Sequence, residues 1–374
     1  MKKVILFSLL CCWGLYLQAQ VRGSNAGSPQ ARGQSAQTNP NAPKFKAIWE
    51  PVNVKEDLQL MSVHFVSPDE GWVAGGKDEL NGGVILHTKD AGANWEVQLG
   101  DPQSSDRAYR QLSFLTTKLG WATQTTQGGD HNLLRTNDGM TWAPVGTVAQ
   151  NRTDYRFTSA DVGFVASRDT ILRTQDGGRR WQPAYKCAVK VEVNGLTRDV
   201  SCDLEKIDFV NATTGYALSQ KLASGAGFAF VKTTDGGSTW SASVILPGED
   251  GKEGALHFSS PTTGVLRTID GKVFYTADGG ATWTGAAAKA EGKPNIEFAD
   301  KDVGWMIVYN NMTYTTNGGK SWTTRQINFP ASVNAFSLVQ RDRGYAVGDH
   351  GMVYKYRIVP VEYTAKGMLP APSM

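Results

Sequence analysis

Seven short segments of the chain share one alternation of apolar and polar positions. Aligned on a phenylalanine or leucine, they carry an apolar residue two positions earlier: Val63, Leu112, Tyr155, Ile207, Leu256, Ile296 and Phe336. One position earlier stands a polar residue: His64, Ser113, Arg156, Asp208, His257, Glu297 and Ser337. A period of two marks a strand, so the two sets fall on opposite sides. The apolar set is expected to pack between repeated units, and the polar ring to face a central channel. After the aligned residue come five more and then a glycine, usually with an aromatic behind it, as in "FVSPDEGW" (65–72), "FLTTKLGW" from 114 and "FADKDVGW" from 298. Each copy reads as a strand, a turn and a second strand opening at the glycine.

A second motif follows each of the first six: "LHTKDAGANW" (86–95), "LLRTNDGMTW" (133–142), "LRTQDGGRRW" (172–181), "FVKTTDGGSTW" (230–240), "VFYTADGGATW" (273–283) and "TYTTNGGKSW" (313–322). A residue that performs unique chemistry occurs once, whereas one that holds a repeated unit together occurs in every unit. Asp90, Asp138, Asp176, Asp235, Asp278 and Asn317 are therefore read as structural. Their side chains accept hydrogen bonds within a turn, and the glycine two positions on permits positive φ. Asn317 supports this, because a hydrogen-bonding turn tolerates asparagine and an acid catalyst does not.

Four strands per unit of about 40 residues predict an all-β, seven-bladed propeller with four antiparallel strands per blade. Seven glycine motifs but six tryptophan turns leave the last blade one strand short. "FKAIWEPV" (45–52), upstream of the first full unit, is expected to supply it and close the ring.

The first residues, "MKKVILFSLLCCWGLYLQAQ", put two lysines before an apolar run and then polar residues, the layout of a secretory signal peptide cleaved near Ala19. The expected organisation is a signal peptide over 1–19, a disordered linker over 20–44 without aromatics, a propeller over 45–358 and a tail over 359–374. The run is too short to span a bilayer, so no transmembrane anchor is expected after cleavage. Two cysteines remain, Cys187 and Cys202, in a predicted hairpin insertion (186–204). Pairing outward from the Asn194-Gly195 turn sets them opposite one another, and an exported protein meets an oxidising compartment, so a disulfide is expected. Because the hairpin is an insertion between blades, its loss is expected to loosen a local unit more than the ring.

Formal charge is +3, two units of which come from Lys2 and Lys3. This gives no case for nucleic acid as a partner. The chain shows no His-Glu-x-x-His, Gly-x-Ser-x-Gly, phosphate-loop or Cys-x-x-Cys motif, and no catalytic residue, metal ligand or cofactor is assigned.

The turn pattern in "TADGGATW" and "TTDGGSTW" resembles the Asp-box, or BNR, repeat of sialidases and related propellers. Together with the seven glycine motifs it is similar to the photosystem II stability/assembly factor family of seven-bladed Asp-box propellers. The resemblance covers roughly residues 45–358. It implies a non-catalytic, exported, monomeric scaffold that binds a protein partner, a membrane-protein complex or an acidic segment; the alternative is a glycan-binding protein or glycoside hydrolase. A propeller carries its variable loops on the face opposite the Asp turns. The elaborated loops belong to blades 1–4, and Arg107, Tyr109, Arg110, Asp130, His131, Arg152, Arg156 and Arg168 in or beside them are the candidate binding residues. The channel ring, with His64, Asp208, His257 and Glu297, is a second candidate site.

Overall fold

The computed structural model describes residues 44–361 apart from 79, 104, 127–130, 149–153, 194, 223–224, 250–253, 290–294 and 309–310. The expected signal peptide with its cleavage point and nearly all of the expected linker lie outside these residues. Among the described residues there is no α-helix, and seven four-stranded antiparallel sheets form the blades of a propeller. Six blades are consecutive meanders, running from 59–100 in blade 1 to 297–326 in blade 6. Blade 7 takes three strands from the C-terminal end and its fourth, Lys44–Pro51, from the N-terminal end. The ring therefore closes as expected.

The glycine motif has a steric cause. In blades 1–6 the phenylalanine ring lies across the glycine of its own motif, and a Cβ added at Gly71, Gly120, Gly163, Gly215, Gly264 or Gly304 would stand 2.3–2.7 Å from it. Where an aromatic follows the glycine, as in every blade but the fifth, it reaches the next blade. Trp72 stacks on Phe114 at 3.8 Å, Trp121 on Phe157 at 3.7 Å and Tyr216 on Phe258 at 3.6 Å between centroids. Tyr345 of blade 7 stacks on Phe65 of blade 1 at 3.5 Å, so the same contact closes the circle. The Asp-turn tryptophan meets the phenylalanine of its own blade edge-on, as Trp283 meets Phe258 at 84°. Blade 7 carries Leu338 in place of the phenylalanine, and there the Trp305 ring reaches over Gly344 instead.

The Asp turns are hydrogen-bonded cages. The Asp278 carboxylate accepts from Thr276 Oγ1 (2.8 Å), from the Thr282 amide (2.9 Å) and from Thr282 Oγ1 (2.6 Å), while the Gly280 amide donates to Thr276 Oγ1 (2.9 Å). Gly280 has φ +90°, in the region that favours glycine. Asn317 makes the same bonds to Thr315 and to the Ser321 amide. The position before the second glycine is also left-handed, and Ala91 adopts it at φ +60°.

The hairpin pairs Ala188–Val193 with Leu196–Ser201 in the expected register, and Cys187 and Cys202 form a disulfide with Cα atoms 5.4 Å apart. It is less peripheral than an insertion suggests. Cys187, Val189, Val191 and Cys202 are buried in one cluster with Phe164 and Ile171 of blade 3 and Ile207 and Val231 of blade 4.

Candidate functional site

The inner strands bring the polar ring together as a belt between blades. Asp208 of blade 4 lies 3.5 Å from Arg156 Nε of blade 3 and 3.4 Å from His257 Nδ1 of blade 5. Its carboxylate also accepts from the Phe258 amide of the next blade at 3.1 Å. Glu297 of blade 6 accepts from the Leu338 amide of blade 7 at 2.7 Å, and Ser337 Oγ of blade 7 accepts from the Phe65 amide of blade 1 at 3.3 Å. Reaching for the backbone beside the next aligned residue is thus a repeated device of the ring.

Electrostatics follow from this enclosure. Arg156 keeps 42% of its side chain accessible, with Asp154 Oδ1 at 3.1 Å; Asp154 above all, then Asp208, holds the guanidinium charged by raising its pKa. Burial lowers His64 to about 4, with the nearby Arg156 charge adding to it. Burial also lowers His257 against the opposing pull of Asp208. Burial pushes Glu297 up to about 7, opposed by its bond from the Leu338 amide. At neutral pH this cluster therefore holds neutral imidazoles beside one doubly paired arginine.

The expected loop-face residues divide. Arg107 is half exposed with Asp106 at 3.2 Å, and Arg168 is exposed. Arg110 and His131 are half-buried, and His131 Nδ1 lies 3.4 Å from Thr125 Oγ1. Tyr109, expected at the surface, is 3% exposed and packs with Ile85 and Ala74 of blade 1. Its position on an inner strand at the interface between blades 1 and 2 turns the ring into the core. Arg156 turns instead toward Asp154 of its own strand and Asp208 of blade 4. Asp130 and Arg152 lie outside the described residues.

One set of residues escaped the sequence reading. Opposite the residue that follows each strand-opening glycine (Trp72, Trp121, Phe164, Tyr216, Val265 and Trp305), just before the Asp-turn threonine, stand His87, Arg135, Arg173, Lys232, Tyr275 and Tyr314. His87 stacks on Trp72 at 4.5 Å, while Arg135, Arg173 and Lys232 lie over Trp121, Phe164 and Tyr216 at 5.4–5.7 Å. These are cross-strand aromatic and cation–π pairs. The signal, a long cationic or aromatic residue before every Asp-turn threonine, was present in the repeats.

Residues 134–296 match the family described as photosynthesis system II assembly factor YCF48. A relative from Arabidopsis thaliana, the chloroplastic photosystem II stability/assembly factor HCF136, is 24% identical over 343 residues, covering 82% of this chain and 79% of its own. Among solved structures, YCF48 bound to D1 peptide shares the fold with a TM-score of 0.60 at 15% identity, over 83% of this chain and 94% of that one. YCF48 from Cyanidioschyzon merolae does so with a TM-score of 0.60 at 18% identity, over 83% and 98%. The chain is a seven-bladed propeller that is similar in sequence and fold to the photosystem II assembly factors.

Proposed function

We propose that the chain is an exported, non-catalytic scaffold that binds a protein partner through the loop face of blades 1–4 and assists assembly or stability of that partner. The observation that carries this reading is the match to assembly and stability factors in sequence, together with a propeller of the same fold that holds a peptide. The Cys187–Cys202 disulfide is in keeping with an oxidising destination outside the cytoplasm. Among the charged residues of the loop face, Arg107 and Arg168 offer guanidinium groups to solvent, and such groups bind carboxylates with salt-sensitive affinity.

The test is capture of partners from an envelope extract by the full chain and by its Arg107→Glu/Arg168→Glu variant, at low and high salt. The expected result is a defined protein captured by the parent, with weaker and less salt-dependent capture by the variant. Equal capture by both proteins would remove the loop face from the proposal. Hydrolysis or tight binding of a glycan in a parallel screen would replace the scaffold reading with the glycan one.

A further inference from the structure

The Asp-turn side of the molecule holds a cavity of about 360 Å³ where blades 3 and 4 meet. Its wall includes Arg173, Gln175, Arg180 and Gln182 of blade 3 and Gly237 and Ser238 of the blade 4 Asp turn. That volume is within the range of small-ligand sites.

The repeat shows what is unusual here. Arg135, Arg173 and Lys232 hold one equivalent position in blades 2, 3 and 4, each lying over its cross-strand aromatic. In two cases the cation also bonds to the next blade: Arg135 Nη1 donates to the Ala160 carbonyl at 3.0 Å, and Lys232 Nζ to the Gly279 carbonyl at 3.1 Å. Arg173 is the exception, because its Nε is buried with no hydrogen-bond partner among the described residues. A buried donor left unpaired is costly; the rest of the Arg173 side chain is half-buried and lines the cavity, so the guanidinium is available to a ligand there.

The charges on the wall define the acceptor. Asp176, the carboxylate at the cavity, is committed to its own turn, accepting from Thr174 Oγ1 and from the Arg180 amide, both at 2.9 Å. The Arg180 guanidinium lies 3.7 Å from the other Asp176 oxygen and is 86% exposed, so it is free to swing. Two guanidinium groups against one committed carboxylate leave a net positive wall with planar donors. The amides of Gln175 and Gln182 and the Ser238 hydroxyl lie beside them, and Pro183 and Ala184 supply an apolar floor. A single planar carboxylate group balances this wall, with any second charge of the molecule left in solvent, whereas a compact dianion such as sulfate brings both charges against Asp176.

We infer that this cavity binds a carboxylate group, gripped by Arg173 and Arg180 across the seam between blades 3 and 4. The carboxylate comes from a small free acid or from an acidic side chain of a peptide. The site lies on the face opposite the loops and does not depend on the function proposed above.

The experiment titrates the full chain at low salt with glutarate, with sulfate and with an eight-residue peptide of alternating Glu and Gly. Binding is read from the NMR signals of Arg173 Nε–H and of the Gly237 and Ser238 amides. Glutarate is expected to give saturable shifts, to bind more tightly than sulfate, and to bind at least tenfold more weakly to Arg180→Gln. That variant changes an exposed side chain and so keeps the parent's melting temperature. Arg107→Glu, on the loop face, is expected to leave glutarate binding unchanged. A peptide that binds more tightly than glutarate assigns the site to an acidic segment; equal affinity assigns it to a free acid. No saturable shift, tighter binding of sulfate, or equal affinity in parent and Arg180→Gln overturns the inference.

Discussion

At the scale of single residues, the motifs are sites of close approach rather than of chemistry. The Phe258 ring occupies the space of a Cβ at Gly264, with the nearest ring atom 2.6 Å away. Gly264→Ala is therefore expected to cost about 1–3 kcal/mol, the usual penalty for overpacking. Phe258→Leu in the same chain should recover part of it, so the double variant loses less than the two singles summed; additive losses in chemical denaturation would count against the steric account. Glu297 makes a second residue-scale prediction. Its carboxyl is held up to about 7 in the fold, so relative to an unfolded carboxyl near 4.5 it favours folding in its protonated form. That contribution is full below about pH 4.5 and is lost as pH rises through about 7. Glu297→Gln keeps an acceptor for the Leu338 amide without the charge. It should match the parent's melting temperature at pH 4.5, gain on it steadily up to pH 7, and hold a constant advantage above. A variant less stable than the parent at pH 8 would show that the ionised carboxylate is favoured.

At the scale of elements, the strands were legible because each obeys a period of two and ends at a glycine, an Asp turn or a tryptophan. The hairpin register was legible for the same local reason: the Asn194-Gly195 sequence predicts every pair outward to Cys187 and Cys202, and the strands pair in that register from Val193 with Leu196 onward. What lies between elements was not. No local signal says that Tyr345 stacks on Phe65, 280 positions away in sequence, or that Tyr109 faces a neighbouring blade rather than solvent. Inward and outward are set by curvature of the whole ring, which alternation alone does not encode. The hairpin shows the consequence. Read locally it is an appendage, yet Val189 and Val191 are buried between blades 3 and 4. Replacing both cysteines by serine removes a cross-link worth about 3 kcal/mol in the chain-entropy model. The loss should now lower the melting temperature of the ring and raise amide exchange in blades 3 and 4 together. Faster exchange confined to 188–201, with unchanged melting, would restore the appendage view.

At the scale of the molecule, stability depends on a circle with one noncovalent seam. Blade 7 is completed by Lys44–Pro51, whose Trp49 packs against Trp305, Phe329 and Tyr356 at 5.1–5.7 Å. Glu50 forms a two-pronged ion pair with Arg357 of the adjacent strand, and the hydrogen bond from Arg357 is the leading cause of the lowered Glu50 pKa. The Val52 amide continues the ladder to the Val353 carbonyl at 2.8 Å. Removing residues 1–43 should leave all of this intact and the melting temperature unchanged. Removing residues 1–52 exposes the edge of blade 7 along its whole length, which invites pairing with another chain. That deletion is expected to lower the melting temperature sharply and to produce concentration-dependent association. Trp49→Ala tests the seam without cutting the chain and should cost about 3 kcal/mol, in line with truncating a large aromatic. Because stacks such as Tyr345 on Phe65 pass from blade to blade, the loss should be felt around the ring as one cooperative transition. A separate early transition of blade 7 alone, with the other six blades melting as in the parent, would mean that the seam is a local clasp rather than the closure of the fold.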